Sequence, residues 1–114
     1  MEKFISLKSS SDFGQVYHQG KPYGNKLLVV YILERGQNQP GRVGISVSKK
    51  VGNSVVRHRI KRRLKECFRT HLDRWKDGFD IVVVARQASS EADYQSLESA
   101  LAHAGKHLHI YIED

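Results

Sequence analysis

The chain has 114 residues, a length that suits one hydrophobic core, and we expect residues 1–114 to form a single domain. Hydrophobic residues make up 39% and charged residues 27%, which excludes a wholly disordered chain. The longest apolar run, Leu27–Leu33, is far shorter than the roughly 20 residues that cross a bilayer, and the only cysteine, Cys67, permits no internal disulfide. These features predict a cytoplasmic protein with no membrane partner.

The first predicted element is a helix. Ser9 or Ser10 can cap its start, and Gly20 and Pro22 end it. Its apolar positions follow helical spacing and are Phe13, Val16 and Tyr17.

Two strands are predicted next, with a further short strand expected near residues 21–26. Leu27–Leu33 has the composition of a buried strand, and Val43–Val47 alternates apolar and small residues with the period of a strand. Residues 34–42 between them have turn chemistry. We therefore expect these two strands to form an antiparallel hairpin.

The longest predicted helix follows Asn53, which can cap it. Its apolar stripe runs for about five turns, and Lys76-Asp77-Gly78 is expected to stop it. The stripe consists of Val56, Ile60, Leu64, Phe68, Leu72 and Trp75. Basic side chains project away from it, so one face is expected to pack on the core and the rest to be cationic.

The C-terminal part contains the clearest buried-strand pattern, Phe79–Ala85, and a last helix expected to start at Ser90 with Asp93 three residues on. The tail HLHIYIED fits either a frayed helix or a short strand. The element order α-β-β-(β)-α-β-α predicts an α/β (α+β) two-layer sandwich with a small mixed sheet.

The positive charge is concentrated in one segment. Residues 49–65 hold eight basic side chains and no acidic one, whereas the other 97 residues hold 11 basic and 12 acidic ones. With no acidic side chain inside the segment, its basic side chains repel one another, and a bound polyanion removes that repulsion. Nucleic acid is the leading partner, and an anionic membrane surface is a distant second.

The order of residues in this segment resembles that of the bacterial ribonuclease P protein subunit. That family has a lysine pair, a Gly-Asn turn and a helix that opens with Arg-Asn-Arg and Lys-Arg. Three further stretches, DFGQVY, RVGISVSKK and FDIVVVAR, are similar to the family's first helix, pre-helix strand and last strand. The chain departs from the family at His58, where Asn is usual, and at Lys65, where some members have Arg.

The resemblance carries expectations about fold. It implies a ribosomal protein S5 domain 2-like fold, in which the unit from Val43 to Ala85 crosses over left-handedly. Strand-helix-strand units with parallel strands are right-handed in about 98% of cases, so this expectation comes from the family alone.

The resemblance also implies a function, that of a subunit of the ribonuclease P endoribonuclease. The partners are then the catalytic ribonuclease P RNA and precursor tRNA, with no obligate protein partner evident, and magnesium is expected to be bound mainly by the RNA. Residues expected to contact the catalytic RNA are Lys49, Lys50, Asn53, Arg57, His58, Arg59, Lys61, Arg62 and Lys65.

A second surface is implied for the single-stranded 5′ leader of precursor tRNA. Taken alone, a Phe/Tyr pair at i,i+4 is more often part of a core than of a ligand site. The resemblance favours a cleft in which aromatic rings stack on bases. Its expected residues are Phe13, Tyr17, Asn25, Lys26 and Tyr31.

No set of residues predicts a protein active site or a metal centre. His103 and His107 have HxxxH spacing, but with His109 they are interpreted as solvated helix-end histidines, and Cys67 as a small core residue. Two alternatives remain: a small basic ribosomal or other nucleic-acid-binding protein, and an autonomous metal-dependent nuclease.

Overall fold

The computed structural model describes residues 4–36 and 38–112. In this part of the chain a five-stranded mixed sheet packs with three α-helices. The elements are β1 Phe4–Ser6, α1 Ser10–Gln19, β2 Lys21–Gly24, β3 Leu28–Glu34, β4 Gly41–Ser46, α2 Ser54–Thr70, β5 Phe79–Ala85 and α3 Tyr94–His107, with short 3-10 helices at Leu72–Arg74 and Gln87–Glu91. No helix among these residues is long and apolar enough to span a membrane.

The strands are ordered β1-β4-β5-β3-β2, so the predicted hairpin of β3 and β4 is wrong. β5 lies between them, antiparallel to β3 and parallel to β4. The reason is burial: four consecutive residues of β5, from Asp80 to Val83, are buried on both faces of the sheet, which requires a central position. β2 confirms the extra strand expected near residues 21–26, whereas β1 was not predicted.

The two faces of the sheet are covered by different helices. On one face α2 and α3 bury a large core that includes Phe68, Trp75 and Leu101. On the other face α1 buries Val16 against Val82 in a smaller cluster. Side chains alternate between these two faces along each strand. The structure therefore has the two predicted layers and, in addition, a partial third layer formed by α1.

The hand of the β4-α2-β5 crossover follows from the hydrogen bonds. Arg86 N donates to Leu27 O and Arg35 N donates to Gly78 O, so odd-numbered residues of β3 direct their backbone polar groups toward β5. Their side chains, including that of Tyr31, face α1. An L-residue whose side chain faces the viewer in an upward strand has its N–H and C=O on the viewer's right.

Viewed from the α1 face with β4 and β5 running upward, β5 therefore lies to the right of β4. The connecting helix α2 covers the opposite face. Viewed from that face, with α2 in front of the sheet, β5 lies to the left of β4. The crossover is left-handed, and the expectation drawn from the family resemblance is confirmed.

The helix starts follow the predicted caps, but the end of α2 does not. The Ser9 hydroxyl accepts from Ser11 N and Asp12 N, and the Asn53 side chain accepts from Val56 N. α2 ends at Thr70, so the prediction that it continues to Lys76-Asp77-Gly78 is wrong. The chain turns through a 3-10 helix instead, which packs the ring of Trp75 on Phe68 with centroids 4.8 Å apart.

The last helix begins later than predicted. Ser90 lies in the preceding 3-10 helix, and Asp93 is the N-cap because its carboxylate accepts from Ser96 N. The helix ends at His107, and Tyr111 then forms an isolated bridge with Trp75. The tail is thus extended beyond the helix, and residues 113–114 lie outside the described part of the chain.

His109 closes α3 in a left-handed conformation with φ 63°. His109 N donates to Lys106 O and Ile110 N to Gly105 O, the bonds of a Schellman motif. Glycine adopts this conformation without the steric cost of a Cβ atom. We therefore expect His109→Gly to raise the free energy of unfolding by about 1 kcal/mol, measured by urea denaturation. His109→Ala, which keeps the Cβ atom, is the control and should give no such gain.

Candidate nucleic-acid interface

The basic segment forms an exposed surface along α2 and the loop before it. Lys49, Lys50, His58, Arg62 and Lys65 are exposed. None of them forms a salt bridge with a described residue. Their charges therefore remain available for phosphate groups.

Some of the predicted contacts also have structural roles. Asn53 caps α2, and Arg59, which is half-buried, donates through Nη2 to Ser90 O at 3.1 Å. Arg63 makes a similar bond to Ala92 O at 2.7 Å. These two arginines tie α2 to the segment before α3. Arg57 and Arg59 keep a buried Nε atom with no hydrogen-bond partner among the described residues.

The three predicted aromatic residues are brought together. The Tyr17 ring contacts Tyr31 edge to face with centroids 5.0 Å apart, and Phe13 with centroids 6.3 Å apart. Tyr17 is 39% exposed, so the group is not sealed inside the core. A Cβ atom at Gly44 would lie 2.5 Å from the Phe13 ring, so glycine is required there to let that ring approach the sheet.

A cleft of about 440 Å³ opens beside Phe13 and Tyr17. Tyr31 is partly buried behind Tyr17 and is not part of the lining. Lys61, predicted to contact the catalytic RNA, lies on its wall. Lys8 and Ser46 also lie there and were not predicted, although Lys8 comes directly before the cap of α1. The full lining is Lys8, Ser10, Phe13, Gly14, Tyr17, Ile45, Ser46, Val47 and Lys61. Neither lysine pairs with an acidic group in the described chain.

Asn25 and Lys26, expected at the leader cleft, do not line it. They lie in the β2–β3 turn and line a different groove, beside α3, together with residues such as Glu91 and His103. The Asn25 amide is used within the fold: it accepts from Leu27 N and Leu28 N and donates to Ala100 O. The sequence motif could not reveal that these bonds occupy the side chain.

A buried ion pair fixes α1 over the sheet and so holds the cleft in shape. The Asp80 side chain is almost fully buried and accepts from Arg42 at 2.8 Å and 2.6 Å. Arg42 also donates to Asp12 of α1 at 3.2 Å. The bond from Asp80 raises the pKa of Arg42. Arg42 thereby links β4, β5 and the first turns of α1.

The other titratable candidates do not form a reaction centre. Cys67 is buried, which confirms its interpretation as a small core residue, and this burial raises the pKa of its thiol to about 12. His103 and Tyr23 share a hydrogen bond of 3.0 Å, and His107 stacks on Tyr23 at 3.9 Å between centroids. Within residues 4–36 and 38–112, no three His, Cys, Asp or Glu side chains are arranged to hold a metal ion.

A cationic helix next to an aromatic cleft rimmed by unpaired lysines is the arrangement of an RNA-binding protein. A family model described as Ribonuclease P matches residues 1–109. Ribonuclease P protein components from Clostridium botulinum and Alkaliphilus oremlandii are 46% and 44% identical, over 92% and 96% of this chain and 95% and 96% of their own lengths.

Solved structures agree with this match. The Staphylococcus aureus RNase P protein superposes with a TM-score of 0.87 at 34% identity, over 96% of this chain and 99% of that one. The Thermotoga maritima RNase P protein gives 0.78 at 30% identity, over 86% and 92%. The chain belongs to the ribonuclease P protein family and has a role in maturing the 5′ end of tRNA. These comparisons do not support the two alternatives, a small basic ribosomal or other nucleic-acid-binding protein and an autonomous metal-dependent nuclease.

Proposed function

We propose that this chain assists cleavage as the protein subunit of a ribonucleoprotein whose catalytic centre lies in its RNA. The observation that carries the proposal is the pairing of an exposed cationic helix with a separate aromatic cleft, and no metal-holding cluster among the described residues. A protein that performed hydrolysis itself would need acidic ligands or a nucleophile with its base.

The α2 surface is proposed to bind the catalytic RNA. Its exposed, unpaired charges support this, because each phosphate contact releases a counterion and strengthens binding. Arginine forks can hold two phosphate oxygens at once, which suits Arg62. His58 is exposed and offers one donor and one acceptor when neutral.

The α1 cleft is proposed to bind the 5′ leader of precursor tRNA. Tyr17 presents its exposed ring to unpaired bases, with the partly buried Tyr31 packed against it, and stacking tolerates any base sequence. Lys61 and Lys8 on the cleft wall supply positive charge for the leader backbone. Lys61 thus joins the two proposed surfaces.

The proposal assigns magnesium to the RNA, since the described side chains do not fit a magnesium site of their own. The protein contributes basic surface that offsets repulsion between the catalytic RNA and its substrate. The proposed place of action is the cytoplasm, with the catalytic RNA and precursor tRNA as partners and no obligate protein partner.

The test compares cleavage of precursor tRNA by protein alone, by catalytic RNA alone and by both together. We expect no cleavage by protein alone, and we expect the protein to lower the magnesium concentration at which the RNA reaches half-maximal cleavage. Multiple turnover by RNA-free protein that persisted through extensive purification would contradict the proposal.

A further inference from the structure

α1 covers only part of the sheet face on which it packs. Val82 is fully buried beneath the helix, whereas Val84, Val29 and Tyr31 on the same face are only partly buried. The register pairs Tyr31 with Val82 and Val29 with Val84. A partly exposed strip therefore continues along β3 and β5 from Tyr31, which contacts Tyr17 of the cleft.

Arg86 stands at the far end of this strip. Its N–H bond to Leu27 O extends the pairing of β5 with β3 by one further step, and alternation puts its side chain on the same face as Val84 and Val82. Arg86 lies four positions after Val82, a distance of about 13 Å along a strand. The side chain is exposed and has no salt bridge with a described carboxylate.

The guanidinium of Arg86 is nevertheless held in place. Its Nη1 donates to Asn25 O at 3.0 Å. That carbonyl belongs to the turn that the Asn25 amide fixes through its bonds to Leu27 N, Leu28 N and Ala100 O. One bond orients the fork and leaves the other N–H groups facing solvent, so a ligand phosphate meets a pre-oriented donor.

We propose that Arg86 binds a phosphate of the single-stranded leader where the leader leaves the aromatic cleft and runs along the Val29–Val84 strip. This inference rests on the proposed function of the cleft. It explains how Asn25 serves the site without lining it: Asn25 positions the turn that holds Arg86.

The test measures the affinity of assembled ribonuclease P for precursors whose leaders lengthen one nucleotide at a time, with mature tRNA as the reference. Arg86→Ala should cost about tenfold in affinity, and only for leaders long enough to span the strip. For those leaders the slope of log affinity against log salt should fall by about 0.7. Arg86→Lys should keep most of that slope because it keeps the charge.

Arg69→Ala is the matched control, since it removes the same charge from the last turn of α2, where Arg69 pairs with Glu66. Equal effects of the Arg86 and Arg69 variants at every length would overturn the inference. So would an equal loss by Arg86→Ala for mature tRNA and all precursors, which would indicate a purely structural role in the turn. If Tyr17→Ala weakens binding of precursor more than binding of mature tRNA and Arg86→Ala does not, only this inference fails. If neither variant weakens precursor binding selectively, the proposed function of the cleft fails as well.

Discussion

Truncation of Tyr17 or Tyr31 to alanine is expected to weaken binding of precursor tRNA by the assembled enzyme roughly 5- to 150-fold while leaving the affinity for mature tRNA nearly unchanged. The range corresponds to about 1 to 3 kcal/mol for one lost base-aromatic stack. The two rings touch edge to face and Tyr17 is well exposed, so its loss removes a stacking surface and little of the core. Equilibrium binding of precursor and mature tRNA at saturating protein measures the effect.

Tyr23→Ala is the control for this experiment, because Tyr23 is an aromatic residue on the opposite face, next to His103 and His107. It should not change the preference for precursor. Phe13 is less suitable, since its ring packs against Gly44 and its removal also disturbs the layer beneath α1. An equal loss for precursor and mature tRNA in the Tyr17 variant would assign these rings to the core.

Replacement of both Arg62 and Lys65 by alanine is expected to weaken assembly with the catalytic RNA and to reduce its salt dependence. Both side chains are exposed on α2 and form no salt bridge with a described residue. Each lost phosphate contact lowers the slope of log affinity against log salt by about 0.7 to 0.9. In the double variant the magnitude of this slope should therefore fall by roughly 1.4 to 1.8. Filter binding over a series of salt concentrations, with circular dichroism to check folding, gives the measurement.

The matched control removes two charges elsewhere, by Lys21→Ala and Lys76→Ala, both of which are exposed and outside the basic segment. That variant should retain the slope of the unmodified protein. If the α2 double variant bound the catalytic RNA with unchanged affinity and slope, α2 would be a solvated face and the proposed assignment of this surface would be wrong.

Local structure could be predicted from the sequence wherever a short-range rule decides it. The strand Phe79–Ala85 and the caps Ser9 and Asn53 were found, because apolar runs and side-chain acceptors act within a few residues. The neighbours of each strand could not be found this way. The alternation of Val43–Val47 is the same whether its partner is β3 or β5, and only the burial of β5 on both faces excludes the hairpin.

The candidate site follows the same division. Phe13 and Tyr17 were grouped correctly because i,i+4 spacing on a helix puts them on one side. Asn25 lies outside the lining of the cleft, and a motif match does not show that its side-chain amide bonds to Leu27, Leu28 and Ala100. Arg86 and Lys8 escaped detection since their positions depend on how the ends of distant strands meet.

The central position of β5 also determines when this molecule can form during synthesis. β3 and β4 are made early and have β2 and β1 as neighbours, yet they do not pair with each other, and the other edge of each strand waits for residues 79–85. Loop closure over such separations slows folding. A nascent chain that ends before β5 exposes two unpaired strand edges and the apolar side of α2 while its cationic side is already complete. The cationic surface of α2 is therefore synthesised before the domain can complete its sheet.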